Sequence, residues 1–179
     1  MASEEMGLTD LLKHGLEDMY YAEARIQKAL PKMIAAAQDA ELKRGLERHL
    51  EETAEQITML EEAFEAMGEK PRSEKCDAMD GILKEGDSLL ADFGGTAAGD
   101  AAIIFSCQAV EHYEIARYGS LRAYAELLGL DQVADLMNDI LEQEEAADEL
   151  LSEIAEDRAN PMAAGESPDS LDDEDEEQE

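Results

Sequence analysis

Four apolar seams of helical period run along this chain, and each is interrupted near its middle by a carboxylate. The first reads Leu12, Leu16, Met19, Glu23, Ile26, Leu30, Met33. The second reads Leu42, Leu46, His49, Glu52 or Thr53, Gln56, Leu60, Ala63, Met67. The third presents Ile104, Cys107 with Gln108, Glu111, Glu114 with Ile115, Tyr118, Leu121 with Arg122, and Ala125; the fourth presents Val133, Met137, Leu141, Glu144, Asp148, Leu151 and Ala155. Steps of three and four keep such residues on one helix face. Helices that bury these seams together must bury the acids too, and an unpartnered buried carboxylate costs several kcal/mol or takes up a proton. A metal centre is the economical resolution.

The punctuation between the seams predicts an all-α fold. The Thr9 hydroxyl is the expected cap of a first helix running to about Gln38, with Pro31 inside it as a bend or break. A second helix spans Ala40 to Met67 and stops at Gly68. Residues 69–98 hold a Pro, four glycines and a short helical stretch, Ala78 to Leu90, which reads as a long crossover. Asp100 is the expected N-cap of the third helix, Gly129 its stop, and Asp131 the cap of the fourth. Two hairpins joined by a crossover give an antiparallel four-helix bundle over residues 1–158. From 159 to 179 the chain turns Pro-, Gly-, Ser- and acid-rich without periodicity, as a disordered acidic tail would.

Composition narrows the partners. Aromatic residues make up 4% of the 179 positions and Trp is absent, which suits helices rather than sheets. The formal net charge of −32, against 14 Lys plus Arg, disfavours nucleic acid, because phosphates require clustered cations. Removing the acidic run at 172–179 leaves the rest strongly negative, so the excess also covers the folded surface. Adaptation to a salt-rich cytoplasm is the preferred explanation, with a plain acidic soluble protein as the alternative. No apolar run approaches the roughly 20 residues that span a bilayer. The Met-Ala-Ser-Glu-Glu start lacks a signal peptide's apolar segment, so a cytoplasmic location is expected. Cys107 falls on an apolar face and reads as core, whereas Cys76 falls in the crossover and receives no role.

The expected metal ligands are Glu23, His49, Glu52, Glu111, Glu114, Glu144 and Asp148. His49 with Glu52, Glu111 with Glu114, and Glu144 with Asp148 are three or four residues apart and share faces. His49 is either a ligand or a group that orients one; Asp148 has a shorter reach. Glu145 falls off the fourth seam and His112 points away from Glu111, while Tyr20, Tyr113 and Tyr118 are candidates to bond the inner carboxylates or simply to pack. Oxygen donors with one or two imidazoles suit iron or manganese better than zinc or copper. A carboxylate can bridge two cations, so the set suits a pair of iron ions, with manganese as the alternative, that meets O2 or peroxide. The six acids named balance a ferric pair and exceed a ferrous one. Because the chain holds 46 acidic residues, single seam acids also arise by chance; the metal reading rests on all four helices showing one.

Several motifs together are specific: Tyr20-Tyr21-Ala22-Glu23, Ala29-Leu30-Pro31-Lys32-Met33, His49-Leu50-Glu51-Glu52-Thr53, Cys76-Asp77-Ala78-Met79-Asp80-Gly81, and Val110-Glu111-His112-Tyr113-Glu114-Ile115-Ala116 with Tyr118-Gly119. Through them the chain, over roughly Leu8 to Ala155, resembles the YciF-like (YciE/YciF) family of the ferritin-like superfamily. The resemblance implies a ferritin-like bundle, a dimetal centre and a homodimer, with Glu23, Glu52, Glu111, Glu114 and Glu144 at the carboxylate positions. The usual di-iron pattern has Glu-x-x-His on two helices. Here the order is reversed at His49-x-x-Glu52, and the fourth helix has no histidine. Stress defence by oxidation of Fe2+ is the first functional reading. The others are a non-enzymatic dimeric interaction module with structural or no metal, a manganese catalase-like activity, and a ferritin cage.

Overall fold

The computed structural model describes residues 6–166. Four long helices dominate: α1 (Leu8–Ala36), α2 (Ala40–Ala66), α4 (Gly99–Leu128) and α5 (Asp131–Ile154), with α3 (Asp77–Phe93) between the second and third of them. A π-helical turn at Ala155–Ala159 leads into α6 (Asn160–Ala164). Among the described residues all regular structure is helical, and no helix is long and apolar enough to cross a membrane. α1 packs on α2 and α4, and α5 packs on α2 and α4, so the four long helices form a closed circuit. α3 lies against α1 and α4.

The seams are buried largely as their spacing predicts. Leu12, Leu16, Met19, Glu23, Ile26, Leu30 and Met33 all face inward along α1, which runs unbroken through Pro31. On α2 the ambiguous step resolves in favour of Thr53, with Phe64 buried in place of Met67. On α5, Ala147 and not Asp148 takes the inward position. α4 buries Ile103, Ile104, Ser106, Cys107 and Val110 in one short stretch, because it is covered by α1, α3 and α5.

Several caps differ from expectation. α1 starts at Leu8 after Gly7, whose N–H donates to Asp10 (2.8 Å), so the carboxylate rather than the Thr9 hydroxyl closes the first turn. Asp39 caps α2 by accepting from the N–H groups of Glu41 (2.8 Å) and Leu42 (2.9 Å). Asp100 does not cap α4; it accepts from the backbone N–H of Gln38 and of Asp39, each at 2.8 Å, and ties the α1–α2 turn to the start of α4. Leu130, not Asp131, is the residue before α5. Gly68 and Gly129 end α2 and α4 with φ of 72° and 69°, a left-handed turn that favours glycine.

The crossover is pinned rather than loose. Cys76 is buried, caps α3 by accepting from the Met79 N–H (3.3 Å), and lies 3.0 Å from the Tyr113 hydroxyl, which itself donates to Asp18 (2.8 Å). Tyr21 and Arg25 of α1 both reach Asp80, and Lys32 pairs with Asp87 (2.6 Å). The chain stays helical past Ala159, where composition places the start of a tail. Pro161 stands in the first turn of α6, where a missing N–H costs nothing. The expected acidic tail otherwise falls on residues 167–179, outside the described residues.

Candidate metal centre

Each long helix delivers an acid, an imidazole or an amide to one level of the core. α1 supplies Glu23, α2 supplies His49 and Gln56, α4 supplies Glu111 and Glu114, and α5 supplies Glu144. Glu23, Glu114 and Glu144 are wholly buried, Glu111 is 2% exposed and His49 5%. Ligating atoms of His49, Glu111, Glu114 and Glu144 all lie within 4.8 Å of one another. Glu23 adjoins this group: its carboxylate accepts from the Tyr118 hydroxyl, and the charges of Glu23 and Glu114 act on each other.

Compensating charge is missing. Among the described residues, the one ion pair within the cluster is His49 Nε2 to Glu111 Oε1, at 3.5 Å. Among the described residues, nine buried side-chain nitrogen or oxygen atoms lack a hydrogen-bond partner, and eight of them belong to Glu23, His49, Gln56, Glu111, Glu114 and Glu144. Buried polar atoms are ordinarily paired, so this concentration marks a place built for something else to bond. Burial is the main cause that lifts the Glu23 carboxyl to about 8, with the Glu144 charge adding to it and the Tyr118 hydroxyl opposing. Burial likewise raises Glu111, helped by Glu144, and Glu114, helped by Glu23 and Glu144. Either protons or cations must therefore neutralise the cluster. One imidazole among hard carboxylate oxygens fits iron or manganese, and neither ring nitrogen of His49 makes a hydrogen bond, Nε2 having only the 3.5 Å ion-pair approach of Glu111.

The seven expected ligands divide in two. Glu23, His49, Glu111, Glu114 and Glu144 converge. Glu52 does not join the innermost group: it is half-buried, pairs with Arg48 at 3.6 Å, and is raised chiefly by partial burial. Asp148 also stands apart, accepting from Gln108 (3.2 Å) and bonded to His112 Nε2 (3.0 Å) at the edge of the α4–α5 groove. Of the three tyrosines, Tyr118 alone bonds an inner carboxylate; Tyr20 donates to Glu61 (2.7 Å) and Tyr113 to Asp18 (2.8 Å). Gln56 is a site residue not included among the expected ligands. Its amide donates to Glu144 and to Gln143 (3.0 Å), and so fixes the carboxylate of α5. Its position one heptad after His49, in the middle of an apolar seam, is the signal that marks it.

An all-α protein with a buried His/Glu cluster able to hold a metal ion is the class that this fold and site define. The chain belongs to the YciF family. It matches the family described as "Domain of unknown function (DUF892)" over residues 7–164. It is 36% identical to Protein YciF of Escherichia coli (strain K12) over 157 residues, which is 87% of this chain and 95% of that protein. Among solved structures, YcfI from Rhodopseudomonas palustris is similar at 46% identity and a TM-score of 0.81, covering 85% of this chain and 97% of its own. The E. coli stress protein YciF is similar at 36% identity and a TM-score of 0.82, covering 86% and 98%.

Proposed function

We propose that this chain is a ferritin-like antiparallel four-helix bundle with a dimetal carboxylate centre, di-iron in the first instance and manganese in the second. Its role is stress defence through oxidation of Fe2+ by O2 or peroxide. The observation that carries this is the set of eight buried atoms without a hydrogen bond on one cluster. His49, Glu111, Glu114 and Glu144 would hold one ion, and Glu23 with Glu114 the other, with Glu52 approaching from the solvent side. A ferrous pair would supply two electrons, which with two protons reduce O2 to H2O2, or H2O2 to two waters. The chain's own part is to keep the ligands dry and aimed: Gln56 holds Glu144, and Tyr118 holds Glu23.

A second reading is favoured by the raised carboxyls. Neutralised by protons, the same residues would serve a non-enzymatic dimeric stress or interaction module with structural or no metal. Metal analysis of protein purified without chelator, then anaerobic Fe2+ loading and exposure to O2 or peroxide, separates the two. A bound pair and rapid oxidation are expected; an unaltered fold that binds no metal would overturn the first reading and leave the second.

The homodimer is part of the same proposal, and the outer face of α4 supports it. Between Ala101 and Ala125 this helix has two acids, Glu111 and Glu114, both buried. Its exposed stripe includes Phe105 (64% exposed), Ala116, Ala123 and Leu127 (79%). Phe105 and Leu127 are equally far from Ala116 in sequence, so two antiparallel copies crossing at Ala116 would each seat Phe105 on the partner's leucine. An isologous contact needs such self-complementarity, and a chain of net charge −32 needs a face poor in acids to meet its copy, here with Glu126 at its edge. Ala116→Arg should convert a dimer into a monomer by sedimentation in high salt without loss of helicity; an unchanged mass would exclude this face.

A further inference from the structure

Two openings reach the same pair of residues, His49 and Glu111, from opposite sides of the helix circuit. The first enters between α1 and α4 beneath α3. Its mouth is formed by the half-exposed Ala29, Ile82 and Leu83, and the buried Met33, Gly86 and Ser106 complete its wall. The Ser106 hydroxyl is already committed to the Ala102 carbonyl (2.9 Å), so until His49 and Glu111 the walls offer little to a hydrogen-bonding guest. The second opening lies between α2 and α5. Arg48 and Glu52 stand in it, both with side chains open to water.

We propose that these are separate supply routes: the passage under α3 delivers O2, and the α2–α5 opening delivers the metal cation by way of Glu52. The proposal rests on the dimetal reading above and chooses among its oxidants. An apolar passage favours a small nonpolar gas, because water and peroxide each need several hydrogen-bond partners to occupy a cavity. A divalent ion cannot shed its hydration among Ile82, Leu83 and Met33, but it can exchange water for the Glu52 carboxylate beside His49. Peroxide, being polar, belongs with the cation.

Gly86 is the natural place to close the gas route. A Cβ built there would lie 3.3 Å from the Met33 methyl and 3.4 Å from Ser106 Cβ, so a larger side chain takes its room from the passage that these residues line. Gly86→Val should slow O2-driven oxidation of preloaded Fe2+ by about tenfold, leaving peroxide-driven oxidation and anaerobic Co2+ uptake unchanged. Ala29→Phe at the half-exposed mouth gives the same test without crowding the core. Glu52→Gln should do the converse, slowing Co2+ uptake by a larger factor than it slows O2-driven oxidation of a preloaded site. Xenon under pressure supplies a readout that needs no metal: it should occupy the passage in wild type and be lost in Gly86→Val and Ala29→Phe. Xenon absent from the wild-type passage, or equal slowing of O2 and peroxide in the plugged variants, would overturn the assignment. Failure to bind any metal would instead sink the dimetal reading, with the xenon result still deciding whether the passage admits a gas.

Discussion

Freed of metal, the protein should lose on the order of 4 kcal/mol of stability as pH rises from 5 to 9, the reverse of a protein held by ion pairs. The sign follows from the buried acids. Glu23 titrates near 8 in the fold, against an ordinary value of 4.5, because burial and the Glu144 charge oppose its ionisation. Glu111 and Glu114 are raised in the same direction. Between the two values the folded chain holds protons that the unfolded chain has released. Stability from this source is therefore fully present below about 4.5 and is lost as pH passes through about 8. Surface carboxylates push the same way through repulsion, so the measurement belongs in high salt and beside Glu23→Gln, which removes the group that titrates near 8. The variant should flatten the curve and be the more stable at pH 9. Saturating divalent metal should reverse the slope, since its ligands must be deprotonated and binding then strengthens with pH. Denaturant midpoints for metal-free protein that are flat, or that rise with pH, would show that the buried acids find neutralisation elsewhere.

The parts of the molecule legible in sequence are those fixed by local periodicity. Glu23, Glu111 and Glu144 each replace an apolar residue in an otherwise unbroken step of three or four, and Glu114 lies three beyond Glu111; all four are buried. Glu52 and Asp148 show the limit of that rule. A helix turns once in about 3.6 residues, so three and four are equally acceptable next steps, and here Thr53 and Ala147 take the inward places. What depends on distant partners could not be read. The bonds from Asp100 to the α1–α2 turn cross about sixty residues. Cys76 looks idle in the crossover until α3 brings it against Tyr113. α4 is apolar on several faces because three helices cover it, and a single seam could not express that. Asn160-Pro161 reads as a chain end by composition, although a proline at the start of a helix is as well placed as one after its end.

Substitution of the expected ligands one at a time should separate them by depth, and the spread should be the second large effect. Glu111→Ala, Glu114→Ala and Glu144→Ala each remove a buried donor from the group that shares one 4.8 Å cluster, and each should weaken Co2+ binding by about a hundredfold or more. Gln56→Leu leaves every ligand in place but frees the Glu144 carboxylate that its amide holds, so about tenfold is expected, the usual effect of losing an orienting partner. Glu52→Ala removes a half-exposed acid already paired with Arg48, and Asp148→Ala one already bonded to Gln108 and His112. Both should shift affinity by less than Gln56→Leu, although Glu52→Ala still slows uptake. Calorimetry and the Co2+ absorption band report affinity and coordination separately, and the band should change for the first three variants and persist for the rest. An equal loss in Glu52→Ala and Glu144→Ala would mean that Glu52 leaves Arg48 and joins the inner group when the ion arrives. The two positions would then be one ligand set, and the sequence spacing His49-x-x-Glu52 would be a better guide to the loaded site than the inward place of Thr53.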